Sequence, residues 1–314
     1  MTHLAWTILI LILLDALLQI IGRHLNRASL EHPLPQRFSE IYDPREYRRH
    51  QHYLAEGMKL SQLTELFDLI LLIGFGLMGG FAWLDGWVQQ VTVHPVPAGL
   101  LFFGILALAK VILDMPFTLY RTFGIEARYG FNRTSPGTFI LDLLKGLMLS
   151  VILGVFLGGG LLWILNDFGP QYWWLCWLFW IGFSLVLQYA APRWIMPWFN
   201  TFEPLEEGVL KQRIEKYART INFPLKQIFV MDGSRRSAKS NAFFTGYGRH
   251  RRIVLFDTLI EKHPLPELLA ILAHEMGHFK LRHILKGMFL SYGTSGLFLF
   301  GLALAMTWQP LLVA

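Results

Sequence analysis

The sequence has little charge and almost no cysteine. Of its 314 residues, 16% are Asp, Glu, Lys or Arg, and 54% are hydrophobic. An average soluble domain carries about 25% charged residues, so this composition argues against a soluble globular protein. The abundance of apolar side chains also excludes an intrinsically disordered chain. The single cysteine, Cys176, excludes an internal disulfide framework and a cysteine-rich zinc module.

Long apolar stretches dominate the chain instead. A helix that crosses a bilayer needs about 20 apolar residues, and six stretches reach this length. They predict membrane spans at 4–21, 64–84, 99–119, 143–165, 172–192 and 288–307. The first stretch is as apolar as a signal peptide, but no Lys or Arg precedes it and it contains Asp15. We therefore interpret it as a retained helix.

The segments between the predicted spans alternate in their content of basic residues. The segments after the first, third and fifth spans contain several Lys or Arg residues, whereas 85–98 and 166–171 contain none. Basic residues favour the cytoplasmic side of a membrane, so we expect those three segments in the cytoplasm and both chain ends outside. The net charge of +6 therefore reflects membrane orientation and does not indicate nucleic-acid binding.

The longest polar segment, 193–287, is where chemistry is expected. Its apolar pattern and turn residues predict a helix, three strands and a second helix, at 205–222, 227–232, 240–245, 252–257 and 264–289. A basic turn at 233–239 separates the first two strands. Gly246, Tyr247 and Gly248 join the last two strands.

Residues 274–278 read His-Glu-Met-Gly-His. On a helix, His274 and His278 are four residues apart and face the same side. Two neutral imidazoles suit zinc, which prefers nitrogen and sulfur ligands, and Glu275 could take the proton of an attacking water. A bare match of this pattern fits a helix with two ordinary histidines equally well. The apolar helix face before the motif and the adjoining membrane span favour the zinc interpretation.

A catalytic zinc normally has three protein ligands, and the third is not evident here. After His278 the sequence contains no Asp, Glu or Cys, and His283 is the one remaining candidate. On a continuous helix with about 100° per residue, His283 would lie roughly 180° from His274, on the wrong side. The upstream candidates each fit an ordinary surface charge better; they are Asp257, Glu261, His263 and Glu267.

Three blocks of sequence together resemble the type 1 CAAX prenyl proteases, integral-membrane zinc endopeptidases related to a bacterial heat-shock membrane protease. Residues 115–134 resemble the family's loop with the pattern E-x-x-x-G-F-N-x-x-T. Residues 230–259 resemble the segment before the zinc helix, with the pattern S-N-A-x-F-x-G. Residues 274–283, HEMGHFKLRH, resemble the zinc helix itself. The order and spacing of the blocks agree across nearly the whole chain.

The resemblance implies a zinc endopeptidase with named residue roles. It implies that His274 and His278 bind one zinc ion per chain and that Glu275 is the general base. The implied partners are the lipid bilayer and a peptide or protein substrate, including a prenylated C-terminal CAAX-type peptide, with no nucleic acid. The implied location is the inner membrane of a bacterium or the endoplasmic reticulum of a eukaryote, with the active site on the cytoplasmic side.

The resemblance also implies a substrate strand. Asn241, Ala242 and Phe243 would lie along the substrate. Physical chemistry supports this assignment, because an edge strand beside a zinc site can bind an extended peptide by main-chain pairing. An alternative for Asn241 is an ordinary turn at the end of a strand.

The sequence departs from the family pattern at its C-terminal end. Members of the family have seven spans, and their third zinc ligand is a glutamate at the cytoplasmic end of the last span. This chain ends at Ala314, after its sixth predicted span. We therefore expect a C-terminally truncated chain whose zinc site has two protein ligands.

Four charged residues fall within or near the ends of apolar stretches: Asp15, Asp68, Lys110 and Asp114. A charge in lipid costs at least about 2.5–3.5 kcal/mol, so these residues should face the bundle interior, a water-filled space or one another. Lys110 and Asp114 are four residues apart and can pair on one helix. A wet cavity, which the family resemblance implies, is the alternative.

These observations predict a mostly α fold: a multi-pass transmembrane helical bundle of six spans with a small cytoplasmic α+β zinc-metalloprotease domain. The predicted division is a span region at 1–192, a catalytic domain at 193–287 and a sixth span with the C-terminal end at 288–314. Three alternative functions also remain open. They are a quality-control protease without prenyl preference, a non-catalytic membrane scaffold or zinc-binding protein, and a transporter.

Overall fold

The computed structural model describes residues 3–30, 32–246 and 251–308. Within these ranges, six helices are long and apolar enough to cross a membrane: Trp6–Ser29, Pro44–Leu77, Pro95–Glu126, Pro136–Phe168, Pro170–Phe199 and His283–Thr307. The predicted fold class, a mostly α protein with six spans and a small sheet domain, is thereby confirmed. The chain divides into two compact units, Met1–Gly130 with Leu304–Ala314, and Phe131–Ala303.

Among its described residues up to Gly130, the first unit contains four α-helices. They are α1 (His3–Ser29), α2 (Pro44–Leu77), α3 (Gly80–Val91) and α4 (Pro95–Leu119), which continues as a π-helix at Tyr120–Glu126. The start of α2 follows from local chemistry, since the Asp43 side chain accepts a hydrogen bond from the backbone N–H of Arg45 at 2.8 Å. An Asx side chain in this position satisfies a backbone donor that the first turn leaves without a partner.

The prediction that the second span runs to residue 84 is wrong at its C-terminal end. The helix stops at Leu77, and Gly79 adopts a left-handed backbone with φ of 73°. Residues with a Cβ rarely adopt this conformation, so glycine here ends one helix and allows a new one to begin. Gly80 then packs directly on the ring of Phe75, where a Cβ would come within 2.4 Å of a ring carbon.

Lys110 and Asp114 pair within the spans of the first unit, as predicted, and Asp68 joins them. The Lys110 ammonium lies 2.5 Å from the Asp114 carboxylate and 3.0 Å from Asp68 Oδ1. Asp15 accepts a hydrogen bond from Gln19 at 2.8 Å. Asp15 and Asp68 also line a cavity of about 470 Å³ between α1 and α2. Pairing therefore offsets part of the cost of placing these charges within membrane-spanning helices.

The second unit combines helices with a small sheet. Its helices are α5 (Pro136–Phe168), α6 (Trp173–Ala190), α7 (Met196–Phe199), α8 (Val209–Thr220), α9 (Asp257–Lys262), α10 (Leu265–Lys280) and α11 (His283–Thr307), whose residues from Leu304 onward are counted with the first unit. Its strands are β1 (Phe202–Pro204), β2 (Leu225–Met231), β3 (Ala242–Thr245) and β4 (Arg251–Phe256). The strand order is β1-β2-β4-β3, with β2 and β4 parallel and both outer strands antiparallel to their neighbours.

The predicted elements of the polar segment are present with shifted ends. The amphipathic helix is shorter than predicted, and the three strands begin or end one or two residues away from the predicted limits. Strand β1 was not predicted, because three residues that include Pro204 carry no alternating pattern. The predicted β3–β4 turn lies largely outside the described residues, since 247–250 are not described.

The hydrophobic core of the second unit lies between one face of the sheet and the helices α8 and α10. Leu268, Leu272 and Met276 form the buried stripe of α10, and they pack with Ile228 and Leu255 of the central strands. Each such side chain contributes about 1.5–3 kcal/mol through burial. This packing fixes which sides of α10 remain free to carry polar residues.

Candidate metal centre

Helix α10 brings the two histidines of the sequence motif together. His274 and His278 are one helical turn apart, and their Nε2 atoms lie 3.2 Å from each other. Their rings are perpendicular, with centroids 4.8 Å apart. The buried stripe that ends at Met276 holds the helix in the core, so the histidines are presented away from it.

The donor set fits a zinc ion. Two imidazole nitrogens that each bind zinc at 2.0–2.1 Å in tetrahedral geometry lie about 3.4 Å apart, close to the observed 3.2 Å. The ligand atoms of His274, Glu275 and His278 all lie within 4.8 Å of one another, and this is the one such group of His, Cys, Asp or Glu in the described part of the chain. His274 is exposed and the other two are half-buried, so water can reach the group.

The helix that carries the histidines is not continuous with the sixth span, and the prediction of one helix from 264 to about 289 is wrong. Helix α10 ends at Lys280, and α11 begins at His283. Arg282 has a left-handed backbone with φ of 55°. The backbone N–H groups of Leu281 and Arg282 donate to Gly277 and Phe279 at 3.0 and 2.9 Å, which closes the last turn.

This break overturns the predicted position of His283. The Nδ1 atom of His283 lies 2.8 Å from Nδ1 of His278, although a continuous helix would place it on the opposite side. His278 thus has His274 at its Nε2 edge and His283 at its Nδ1 edge. Because these two ring nitrogens point away from each other, this arrangement does not let His283 share one metal ion with His274. Nothing in the sequence Phe-Lys-Leu-Arg-His signals the break, since it contains neither Gly nor Pro.

The upstream candidates for a third ligand are engaged elsewhere or apart from the histidines. The Asp257 carboxylate accepts hydrogen bonds from the backbone N–H groups of Ser234 and Thr258 at 2.8 and 2.7 Å. His263 Nδ1 lies 2.9 Å from the Glu267 carboxylate. None of the four candidates, Asp257, Glu261, His263 and Glu267, belongs to the group of potential metal ligands around His274.

The predicted substrate strand is an edge strand, since β3 pairs with β4 on one side and ends the sheet. The backbone N–H of Phe256 donates to the carbonyl of Asn241 at 3.0 Å. In an antiparallel ladder, hydrogen-bonded and non-bonded pairs alternate. The main-chain groups of Ala242 and Phe244 therefore face the free edge, where an extended peptide could pair with the Ala242 carbonyl and with both groups of Phe244.

The three residues predicted to lie along the substrate differ in what they expose. Asn241 is exposed, and its Oδ1 accepts a hydrogen bond from the backbone N–H of Ala242 at 2.9 Å. The Ala242 side chain is in the core, so it could contact a ligand through its main chain alone. Phe243 lies on the sheet face away from the core, with its ring 6.3 Å from that of Phe256.

The basic turn after β2 is an anchoring point that the sequence did not reveal. Arg236 donates to both carboxylate oxygens of Asp142 at 2.7 and 2.8 Å, and to Asn200 Oδ1 at 2.9 Å. The hydrogen bond to Asp142 raises the pKa of the Arg236 guanidinium. The Arg236 carbonyl accepts from Arg133 N and Thr134 Oγ1, both at 3.0 Å. This turn therefore joins the sheet to the start of α5 and the end of α7.

Arg251 supports the C-terminal end of α10. Its guanidinium lies 3.9 Å from the ring centroid of Phe279, the residue after His278. Burial lowers the pKa of this guanidinium. A cation held over an aromatic face contributes about 0.5–2 kcal/mol, more when it is desolvated. The contact therefore links β4 to the turn of α10 that carries the second histidine.

Comparison with known proteins agrees with this architecture. Residues 23–201 match the family described as CAAX prenyl protease N-terminal, five membrane helices, and residues 204–313 match Peptidase family M48. The crystal structure of Ste24p from S. mikatae superposes with a TM-score of 0.88 at 30% identity, covering 95% of this chain and 72% of that chain. The likeness therefore extends over both the spans and the sheet region.

Curated relatives point to the same family. The probable CAAX prenyl protease 1 of Schizosaccharomyces pombe is 38% identical over 285 residues, which cover 85% of this chain and 59% of the relative. The human CAAX prenyl protease 1 homolog is 30% identical over 90% of this chain and 68% of its own length. This chain is an integral membrane protein that belongs to the CAAX prenyl proteases of peptidase family M48. The resemblance predicted from the three sequence blocks is thereby confirmed.

Proposed function

We propose that this chain is a membrane zinc endopeptidase that hydrolyses peptide bonds in peptide or protein substrates. The observation that carries this proposal is the 3.2 Å approach of His274 Nε2 and His278 Nε2 beside Glu275, on a helix of a peptidase-family fold. The names of the relatives indicate a prenylated C-terminal CAAX-type peptide as substrate.

In this proposal, His274 and His278 hold one zinc ion per chain. When bound, zinc supplies a Lewis acid that polarises the scissile carbonyl and acidifies the attacking water. Glu275 accepts the proton of that water and passes it to the leaving amine. Its half-buried position next to His274 in the chain supports this role.

His283 acts as a positioning residue. If Nε2 of His278 is the metal-binding atom, its Nδ1 carries the proton, and this N–H donates a hydrogen bond to Nδ1 of His283 across 2.8 Å. Such a partner fixes both the tautomer and the ring orientation of a ligating histidine. The break at Arg282 is what places His283 there.

The substrate binds in extended form along the free edge of β3. The Ala242 carbonyl and the main-chain groups of Phe244 pair with the peptide backbone, and the exposed Asn241 amide contacts it at the start of the strand. The excess of Lys and Arg after the odd-numbered spans supports a cytoplasmic position for this domain. The membrane is then the inner membrane of a bacterium or the endoplasmic reticulum of a eukaryote.

The test is peptide cleavage by the purified chain in detergent, with Glu275→Gln as the matched variant. We expect cleavage of a farnesylated CAAX peptide by the natural sequence, loss of cleavage in Glu275→Gln, and equal zinc content in both. Absence of cleavage by the natural sequence, or full activity of Glu275→Gln, would overturn the proposal.

The same assay tests the alternative of a quality-control protease. An unmodified twin of the farnesylated peptide is cleaved as fast as the prenylated one if the enzyme has no prenyl preference. A clear preference for the farnesylated peptide is the result expected from the relatives' names.

A further inference from the structure

A cleft lies in the second unit between the end of the fifth span and the sheet face away from the core. It consists of two adjoining cavities of about 380 and 470 Å³. Both cavities are lined by Pro192, Arg193, Thr245 and Arg252. We refer to the joined cavities as the interfacial cleft.

The interfacial cleft is cationic. Arg193, Lys226 and Arg252 line it, and no Asp or Glu does so among its described lining residues. Aromatic faces support both guanidinium groups: Arg193 lies 3.8 Å from the ring centroid of Tyr189, and Arg252 lies 5.4 Å from that of Phe229. In the described structure, Arg193 Nη1 is shielded from solvent and has no hydrogen-bond partner. Buried hydrogen-bond donors in proteins almost always have an acceptor, so this nitrogen indicates a ligand with an acceptor atom.

The position of the interfacial cleft indicates the chemical class of the hydrogen-bond acceptor that Arg193 would contact. Its helical wall is the end of the membrane-spanning segment Pro170–Phe199. Trp194 and Trp198, on the same turns, are 63% and 46% exposed, and exposed tryptophans are typical of the membrane–water boundary. Met196 and Phe243 give the cleft apolar lining beside its cations.

We propose that the interfacial cleft binds the headgroup of an anionic phospholipid, with Arg193 and Arg252 contacting the phosphate and the apolar lining contacting the start of the acyl chains. Basic side chains beside a membrane-spanning helix are attracted to anionic lipid headgroups. Phe243 and Thr245 belong to β3, so a bound lipid lies against the strand that carries the free sheet edge. This site requires no zinc and stands independently of the proposed peptidase activity.

The experiment measures lipid retention by native mass spectrometry. The full chain is extracted from vesicles of equal parts phosphatidylcholine and phosphatidylglycerol, and bound phosphatidylglycerol is counted. The test variant is Arg193→Gln with Arg252→Gln. The matched control is Arg213→Gln with Arg219→Gln, two exposed arginines of α8, which packs on the other sheet face. Each cation near an anionic lipid contributes about a factor of five in affinity, so the test variant should lose roughly 30-fold and the control should lose little.

Two further measurements distinguish a phospholipid headgroup from free phosphate and distinguish loss of binding from misfolding of the variant. Retention of phosphatidylglycerol should survive excess inorganic phosphate, and Arg193→Lys should retain more of it than Arg193→Gln. Equal retention by the natural sequence and a folded test variant would overturn the proposal. Complete displacement by inorganic phosphate, or by a peptide with a free carboxylate at the same concentration as the lipid, would also overturn it, because the cleft would then be a general anion site.

Discussion

The contact between His278 and His283 leads to a prediction about zinc affinity. Replacing His283 with alanine removes the group 2.8 Å from His278 Nδ1 and leaves the ring free to rotate away from His274. Loss of such a partner typically costs 10–100-fold in metal affinity. Because His283 is exposed, water can take over part of its role. We therefore expect about a tenfold loss, near the lower end of that range.

The assay is competition for zinc between the purified chain and a fluorescent chelator in detergent. His263→Ala is the matched control, since His263 pairs with Glu267 before the buried turns of α10 and lies apart from the metal group. His283→Asn should restore part of the affinity, because its side-chain oxygen can accept the same hydrogen bond. Equal zinc affinity in His283→Ala and the natural sequence would refute the positioning role.

The tautomer of His278 gives a readout that needs no metal. In the zinc-free chain with labelled histidine, NMR should show the His278 proton on Nδ1. In His283→Ala, the two tautomers should mix. A His278 proton on Nε2 in the natural sequence would contradict the hydrogen bond inferred here.

Three further predictions concern stability. Arg236→Met should lower the free energy of unfolding by about 1.5–3 kcal/mol, because it leaves the Asp142 carboxylate without its charged partner; a denaturant titration that shows no change contradicts this anchor. Arg282→Gly should raise stability by roughly 1 kcal/mol, since glycine adopts the left-handed backbone without strain; a lower melting temperature would argue against it. Asp68→Leu should lower the yield of folded protein, because it removes a carboxylate that contacts the Lys110 ammonium; unchanged yield and melting temperature would count against that pairing.

The membrane spans could be predicted because their signal is local. Each span is a run of apolar residues whose length alone matches a bilayer, and six such helices are present in the described ranges. The ends of the spans were predicted less accurately, because the local backbone conformation determines where each helix stops. The left-handed Gly79, for example, stops the second span seven residues before its predicted end.

The histidine pair could also be predicted, because helix geometry places residues four apart on the same side. The residues that surround the histidine pair could not be predicted from the sequence. His283 reaches His278 through a helix break at Arg282, a residue type that gives no warning of a left-handed backbone. The contact of Arg236 with Asp142 joins residues 94 positions apart in the sequence, and no periodicity encodes such a pairing.

The central claim, that His274 and His278 form a zinc centre, is tested most directly by the zinc content of the purified chain. Elemental analysis after gel filtration in detergent compares the natural sequence with His278→Ala. The proposed centre predicts one zinc per chain in the natural sequence and loss of that zinc in His278→Ala. No zinc in the natural sequence, or undiminished zinc in His278→Ala, would contradict it.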